Sequence, residues 1–449
     1  MARSMTQGSP ARLILSFAVP LLIGNLFQQV YTMVDTLIVG RTIGVTSLAA
    51  VGSTGGIMFF VIGFVQAMTN GFSIITAQNF GAKKAAMVRK SFCVSITLSA
   101  IAAVVLSALG LVFVKDVLLL LQTPEEILEE AYSYAVIICG GIGSAVLYNL
   151  LANTIMALGD SRPSLAFLII ACVLNIALDL LFILGFSWGV AGAALATVTA
   201  QCSSCFLCII YIIKKVPALR LRKKDWKIAT RELVASAKLG LPMGFQASII
   251  ATGAIILQWA LNTLGPISVA AFTVVRSIDM IAILPLASFG LAMGTYVGQN
   301  YGAGDIDRIR LGVRQCCVMS LSFSAFIALV NITGGRMLVA IFVGPGQEDV
   351  TVLAQKFLII NGCMYWVLAL LFIFRFSLQG LGKSFAPTVA GVMELFMRAL
   401  AAIVLTKHYG FVGACLASPL AWAGACIPLA IAYHLNIRAL LRKHRTHST

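Results

Sequence analysis

Charge is what this chain has least of. Charged residues make up 11 % of its 449 residues, against about 25 % in a soluble domain. No stretch is polar enough to stand as a separate soluble domain, and apolar runs recur along the whole length. Histidine is almost missing: His408, His434, His444 and His447 all lie near the end of the chain. With no histidine cluster and no aspartate-rich diphosphate motif, an intramembrane enzyme has no metal or nucleophile constellation to work with. Eleven cysteines sit almost wholly inside apolar runs, where they read as small buried hydrophobes and not as a disulfide framework. The spacing Cys202-x-x-Cys205-x-x-Cys208 is metal-like, but it falls in mid-span with no histidine near it.

What is present is apolar sequence in long blocks. The composition defines an all-α polytopic membrane protein, and twelve transmembrane helices can be read. They fall near 12–39, 47–76, 91–114, 131–157, 163–184, 189–213, 235–261, 268–297, 312–343, 352–380, 385–406 and 411–436. The first run shows no cleavage site before Pro20 and is expected to be retained. A formal charge of +16 invites a nucleic-acid reading, but the lysines and arginines gather in alternate loops, as membrane topology requires. The richest such loop runs from Lys214 to Lys238. An even number of spans with this bias predicts both termini on the cytoplasmic side of the cell membrane, with lipid and no nucleic acid as surroundings. In the loop after the third span, Thr123-Pro124-Glu125-Glu126 reads as a helix start with Thr123 as its cap.

The chain repeats itself. Ala77-Gln78-Asn79-Phe80-Gly81-Ala82 returns as Gly298-Gln299-Asn300-Tyr301-Gly302-Ala303, and Leu158-Gly159-Asp160-Ser161 as Leu381-Gly382-Lys383-Ser384. Gly44 and Pro20 return in nearly the same register as Gly265 and Pro242. Six spans per copy gives both copies one orientation, so two six-helix lobes related by a parallel pseudo-two-fold repeat are expected. The lobes are 1–213 and 239–449, joined by a basic cytoplasmic linker, 214–238.

Only four acids fall inside apolar spans: Asp35, Asp179, Asp279 and Glu394. A carboxylate in lipid is costly enough to mark function by default. Gln28, Tyr31 and Asp35 share one face of the first span; Asn175 and Asp179 share one face of the fifth. Thr197 lies on the sixth, beyond Gly189 and Gly192, which permit close backbone approach. If these faces converge they offer oxygen ligands suited to an alkali cation or to shared protons. In the second copy, Arg276 and Asp279 are three apart, and Glu394 and Arg398 four apart, so charge pairs within one helix are expected. Arg375 has no evident partner, and the seventh span offers Gln246 and Gln258 in place of an acid.

In these residues the chain resembles the multidrug and toxic compound extrusion (MATE) transporters, and among them the MepA-like multidrug exporters. The resemblance rests on Val34-Asp35-Thr36 with Val39-Gly40, the doubled Gln-Asn-x-Gly-Ala segment, Ala157-Leu158-Gly159-Asp160, and Asn175-x-x-x-Asp179. It implies the MATE fold, with a V-shaped cleft between lobes. It also implies efflux of lipophilic cationic drugs by antiport against H⁺ or Na⁺, with no cofactor. The family's cation-coupling positions fall on Asp35, Asp179, Asn175 and Thr197, with Tyr31 and Asn153 beside them. An adaptable cleft lining is expected from Gln28, Met33, Met68, Met156, Met243, Phe245, Met280 and Phe289. Nothing in the sequence calls for an obligate partner, and a monomer is expected. A flippase for a lipid-linked precursor would prefer a cationic cleft, against which the first-copy acids argue.

Overall fold

The computed structural model describes residues 4–344 and 346–447. Among the described residues the structure is helical. The first six spans are α1 (Pro10–Thr42), α2 (Val45–Gly81), α3 (Ala85–Leu120), the pair α4 (Glu125–Gly140) and α5 (Ile142–Ala157), α6 (Arg162–Asp179) and α7 (Gly189–Lys215). The second six are α8 (Thr230–Asn262), α9 (Pro266–Ala303), α10 (Ile306–Ala340), the pair α11 (Glu348–Gly362) and α12 (Tyr365–Gly380), α13 (Phe385–Leu400) with α14 (Thr406–Tyr409), and α15 (Phe411–His447). Ten helices or helix runs are long and apolar enough to span alone; α4–α5 and α11–α12 are spans bent by 46° and 48°. Twelve spans result. The first bend falls at Gly140 and Gly141, where two glycines in a row weaken the helix. Helix α4 begins at Glu125 with Pro124 as its cap, one residue later than the Thr123 cap read from sequence.

The chain forms two compact units. The first contains Pro20–Gly244; the second contains Met5–Val19 and Phe245–Thr449. In the first, α2 packs on α5, α6 on α7 and α3 on α4; in the second, α9 packs on α12, α13 on α15 and α10 on α11. The two six-span lobes therefore have one topology, as the sequence repeat demands. The outer faces are greasy: Val104, Leu109, Val112 and Phe113 on α3 are all exposed, which in a polytopic protein is a lipid-facing surface.

The doubled Gln-Asn-x-Gly-Ala segment closes α2 and α9. At the second copy, Gln299 Oε1 accepts the buried Met5 N–H at 2.8 Å, while Asn300 Nδ2 donates to the carbonyls of Met5 and Tyr296. Arg308 adds a bond to the Gly8 carbonyl at 2.7 Å. The basic linker is held on the first unit through its acids. Arg89 Nε donates to Asp225 at 3.0 Å, and Lys90 meets Glu232 at 2.7 Å. Burial pushes the Asp225 carboxyl up, but bonds from the Arg222 N–H and Arg89 outweigh it and hold the group below the usual range. Cys205 and Cys208 pack in an apolar cluster with Phe92 and Leu151, and the Cys205 thiol donates to the Ser144 carbonyl.

Candidate functional site

Helix α1 carries Tyr31 and Asp35 one turn apart, and α6 carries Asn175 and Asp179 one turn apart. Inside the first unit these two faces meet. The Asp35 and Asp179 side chains are neighbours, and Tyr31 lies close to both acids and to Thr197. Asp179 is 0 % and Asn175 2 % exposed; Asp35 is half-buried. Among the described residues no N–H or O–H donor reaches either Asp179 oxygen, Oδ1 of Asp35, or Oδ1 of Asn175. Asn175 Nδ2 points to Thr197 Oγ1 at 3.5 Å, and Thr197 donates to the Ala193 carbonyl at 3.1 Å. The result is a nest of carboxyl and amide oxygens, with the hydroxyls of Tyr31 and Thr197 beside it, inside a bundle that stands in lipid. Such a nest is satisfied by a cation or a proton.

A cavity of about 150 Å³ opens beside this nest. Gln28, Tyr31, Gln66, Asn149, Asn175 and Thr197 supply much of its polar lining. The lining stops at Tyr31 and Asn175, each one turn short of its acid. The cavity wall thus includes the residue one turn before each acid, and not the acids themselves. Directly after Asp179 the helix widens into a π-helical turn, Leu180–Gly185. An equivalent turn, Ala401–Leu405, follows α13 in the second unit. Wide turns of this kind change side-chain register and often sit at functional positions.

One residue of this nest escaped the sequence reading. Tyr134 on α4 is close to both Asp35 and Asp179 and packs among Val39, Ile183 and Ala193. Tyr134 stands near the start of the fourth apolar run, where an aromatic residue is ordinary, so nothing in residue order set it apart. Asn153 is held elsewhere, its Nδ2 donating to Thr69 Oγ1 at 3.0 Å across α5 and α2. Among the residues named for the cleft, Gln28 lines this cavity. Met68, Met156 and Met243 are buried in helix packing, Met280 and Phe289 are half-buried, and Met33 and Phe245 are 72 % and 57 % exposed.

The second unit departs from the expected pairs. Asp279 does not pair with Arg276, which is exposed. Its carboxylate instead accepts the Tyr365 hydroxyl, which in turn accepts Asn331 Nδ2 at 3.1 Å. Three-residue spacing puts an arginine on the same helix, but packing against α12 puts a tyrosine nearer. Glu394 does pair with Arg398, at 3.0 Å, and also takes Arg375 at 2.6 Å. Gln246 is tied to Gln379 and to the Pro387 carbonyl.

These features define a polytopic membrane protein of two like six-span lobes, with paired acids inside the first and paired arginines inside the second. The chain belongs to the MatE family, whose profile matches it twice, over residues 20–181 and 242–404. The two matches fall one on each copy of the repeat. It is 32 % identical over 313 residues to the probable multidrug resistance protein YpnP of Bacillus subtilis, covering 69 % of each chain. It is 26 % identical over 400 residues to the probable multidrug resistance protein YoeA of the same organism, covering 88 % of this chain and 86 % of the relative. A crystal structure of a MATE protein in a bent conformation superposes with a TM-score of 0.90 at 20 % identity, covering 98 % of both chains.

Proposed function

We propose that the protein exports lipophilic organic cations from the cell by antiport against H⁺ or Na⁺, with Asp35 and Asp179 as the coupling pair. The observation that carries this reading is the meeting of those two carboxyl groups, three of whose oxygens find no hydrogen-bond partner among the described residues, beside a cavity inside a lipid-spanning bundle. Two carboxylates so placed repel one another and are poorly solvated, so a proton or a small cation between them relieves both costs. An ion arriving from outside also gains about 2.3 kcal/mol per 100 mV of membrane potential. Tyr31, Asn175 and Thr197 offer oxygens along the way in, and Tyr134 completes the wall beyond them.

Loading the pair removes the repulsion between α1 and α6, which shifts the first lobe between two packings. The π-helical turn after Asp179 is the place where α6 gives way. Drug and ion bind alternate states of the protein. In this scheme the chain works as a monomer in the cell membrane, with both termini in the cytoplasm. The multidrug resistance names of YpnP and YoeA support the drug side of the reading.

The test is dye efflux from vesicles carrying the purified protein, first under an imposed pH gradient and then under a Na⁺ gradient. Efflux driven by one of the two, and lost in Asp35→Asn, is the expected result. Efflux that ignores both gradients overturns the antiport reading.

A further inference from the structure

The second unit encloses a charge excess. Glu394 and Arg398 stand one turn apart on α13, and Arg375 reaches across from α12. Arg375 Nη2 donates to Glu394 Oε2 at 2.6 Å, and Arg398 Nη2 to Oε1 at 3.0 Å. The three residues are 6 %, 4 % and 7 % exposed. One carboxylate thus faces two guanidiniums, and among the described residues no second acid forms an ion pair with either arginine. The group carries a surplus of one positive charge within a membrane-spanning bundle.

The hydrogen bonds tell the same story. Nε of Arg375 and Nε of Arg398 are both buried with no acceptor among the described residues. Arg398 Nη1 is left with the Ile250 carbonyl at 3.4 Å, a long bond. Gly253 on α8 allows this approach, since a Cβ there would stand 3.2 Å from Arg398 Nη1. A single Glu394–Arg398 pair would have been neutral; the second arginine adds both a charge and unmet donors. Buried guanidinium donors of this kind are satisfied by an anion, and arginine sheds its water for one more readily than lysine does.

We propose that Arg375, Arg398 and Glu394 form a binding site for a small monovalent anion, either chloride or the carboxylate of a small organic acid. Charge matching selects the class. One negative charge neutralises the surplus, whereas a phosphate dianion would overshoot it and be repelled by Glu394. The proposal does not depend on what the protein transports.

The experiment is thermal unfolding of the purified full chain in detergent at fixed ionic strength, with gluconate replaced stepwise by chloride or by acetate. Labelled chloride and labelled acetate are also tested for direct binding to the wild-type protein. The wild type is expected to gain stability saturably with one of the two anions, and that arm identifies the ligand. Arg375→Gln leaves a neutral pair. It should respond more weakly by over about tenfold, the scale of losing one charge-assisted contact. Arg375→Lys keeps the charge and should keep part of the response. Glu394→Gln, with its larger surplus, should bind the anion more tightly. Equal responses in the wild type and Arg375→Gln overturn the site, and so does absence of binding of both labelled anions to the wild type.

Discussion

Gln299 and Met5 are joined by a hydrogen bond of 2.8 Å, from the Met5 N–H to the Gln299 side chain, within the second unit. A motif residue at the end of α9 thereby fixes the backbone ahead of α1, and Asn300 completes the grip at 3.2 Å. Replacing Gln299 by alanine leaves the buried Met5 N–H without this acceptor, a loss of about 1–3 kcal/mol. The expected readouts are a lower unfolding midpoint and faster proteolysis near residue 5. An unchanged midpoint would show that the grip contributes nothing to stability.

Tyr365 is the donor that Asp279 relies on. Tyr365→Phe strands a buried carboxyl and should destabilise the protein by about 1–3 kcal/mol. In the Asp279→Asn background the same substitution should cost less, with a coupling of roughly 0.5–3 kcal/mol between the two sites. Additive effects in that cycle would mean that the contact is energetically empty.

Gly380 marks a close approach of α12 to α9: a Cβ there would meet the Gly294 carbonyl oxygen at 2.6 Å and the Gly298 nitrogen at 3.1 Å. Backbone atoms cannot step aside as a side chain does, so Gly380→Ala should cost about 1–3 kcal/mol by overpacking. Gly55 on α2 is the control, since nothing lies within 4 Å of its added Cβ. There alanine should stabilise the helix by up to about 1 kcal/mol through propensity alone. Melting both variants against wild type checks the contrast in sign.

The linker latch has a predictable pH dependence. Asp225 is held below its ordinary value of 3.8, so its bond to Arg89 contributes fully above that value. The contribution is lost as pH falls through the depressed folded value. Asp225→Asn should abolish this acid-side loss. Hydrogen exchange of residues 217–226 against pH, in wild type and variant, would reveal the difference; identical profiles would contradict the latch.

Several of these features could be read from residue order, and others could not. The four acids stand out because lipid penalises charge, and the repeat stands out because both lobes need the same turns at the same places. The spacing of Tyr31 with Asp35 and of Asn175 with Asp179 gave each helix its polar face. Spacing describes only one helix at a time, however. Arg375 finds Glu394 across two helices, Tyr365 displaces Arg276 as the partner of Asp279, and Tyr134 joins the acids from α4. All three are products of packing between different helices. The π-helical turn after Asp179 is likewise invisible in Leu180–Gly185, an ordinary apolar run.

The most direct test of the coupling pair is proton or sodium movement accompanying drug efflux in vesicles, measured for wild type, Asp35→Asn and Asp179→Asn. Either variant alone should lower gradient-driven efflux by more than about tenfold, since each removes one of two interacting carboxylates from the ion's path. Full, gradient-driven efflux in both variants would contradict the account.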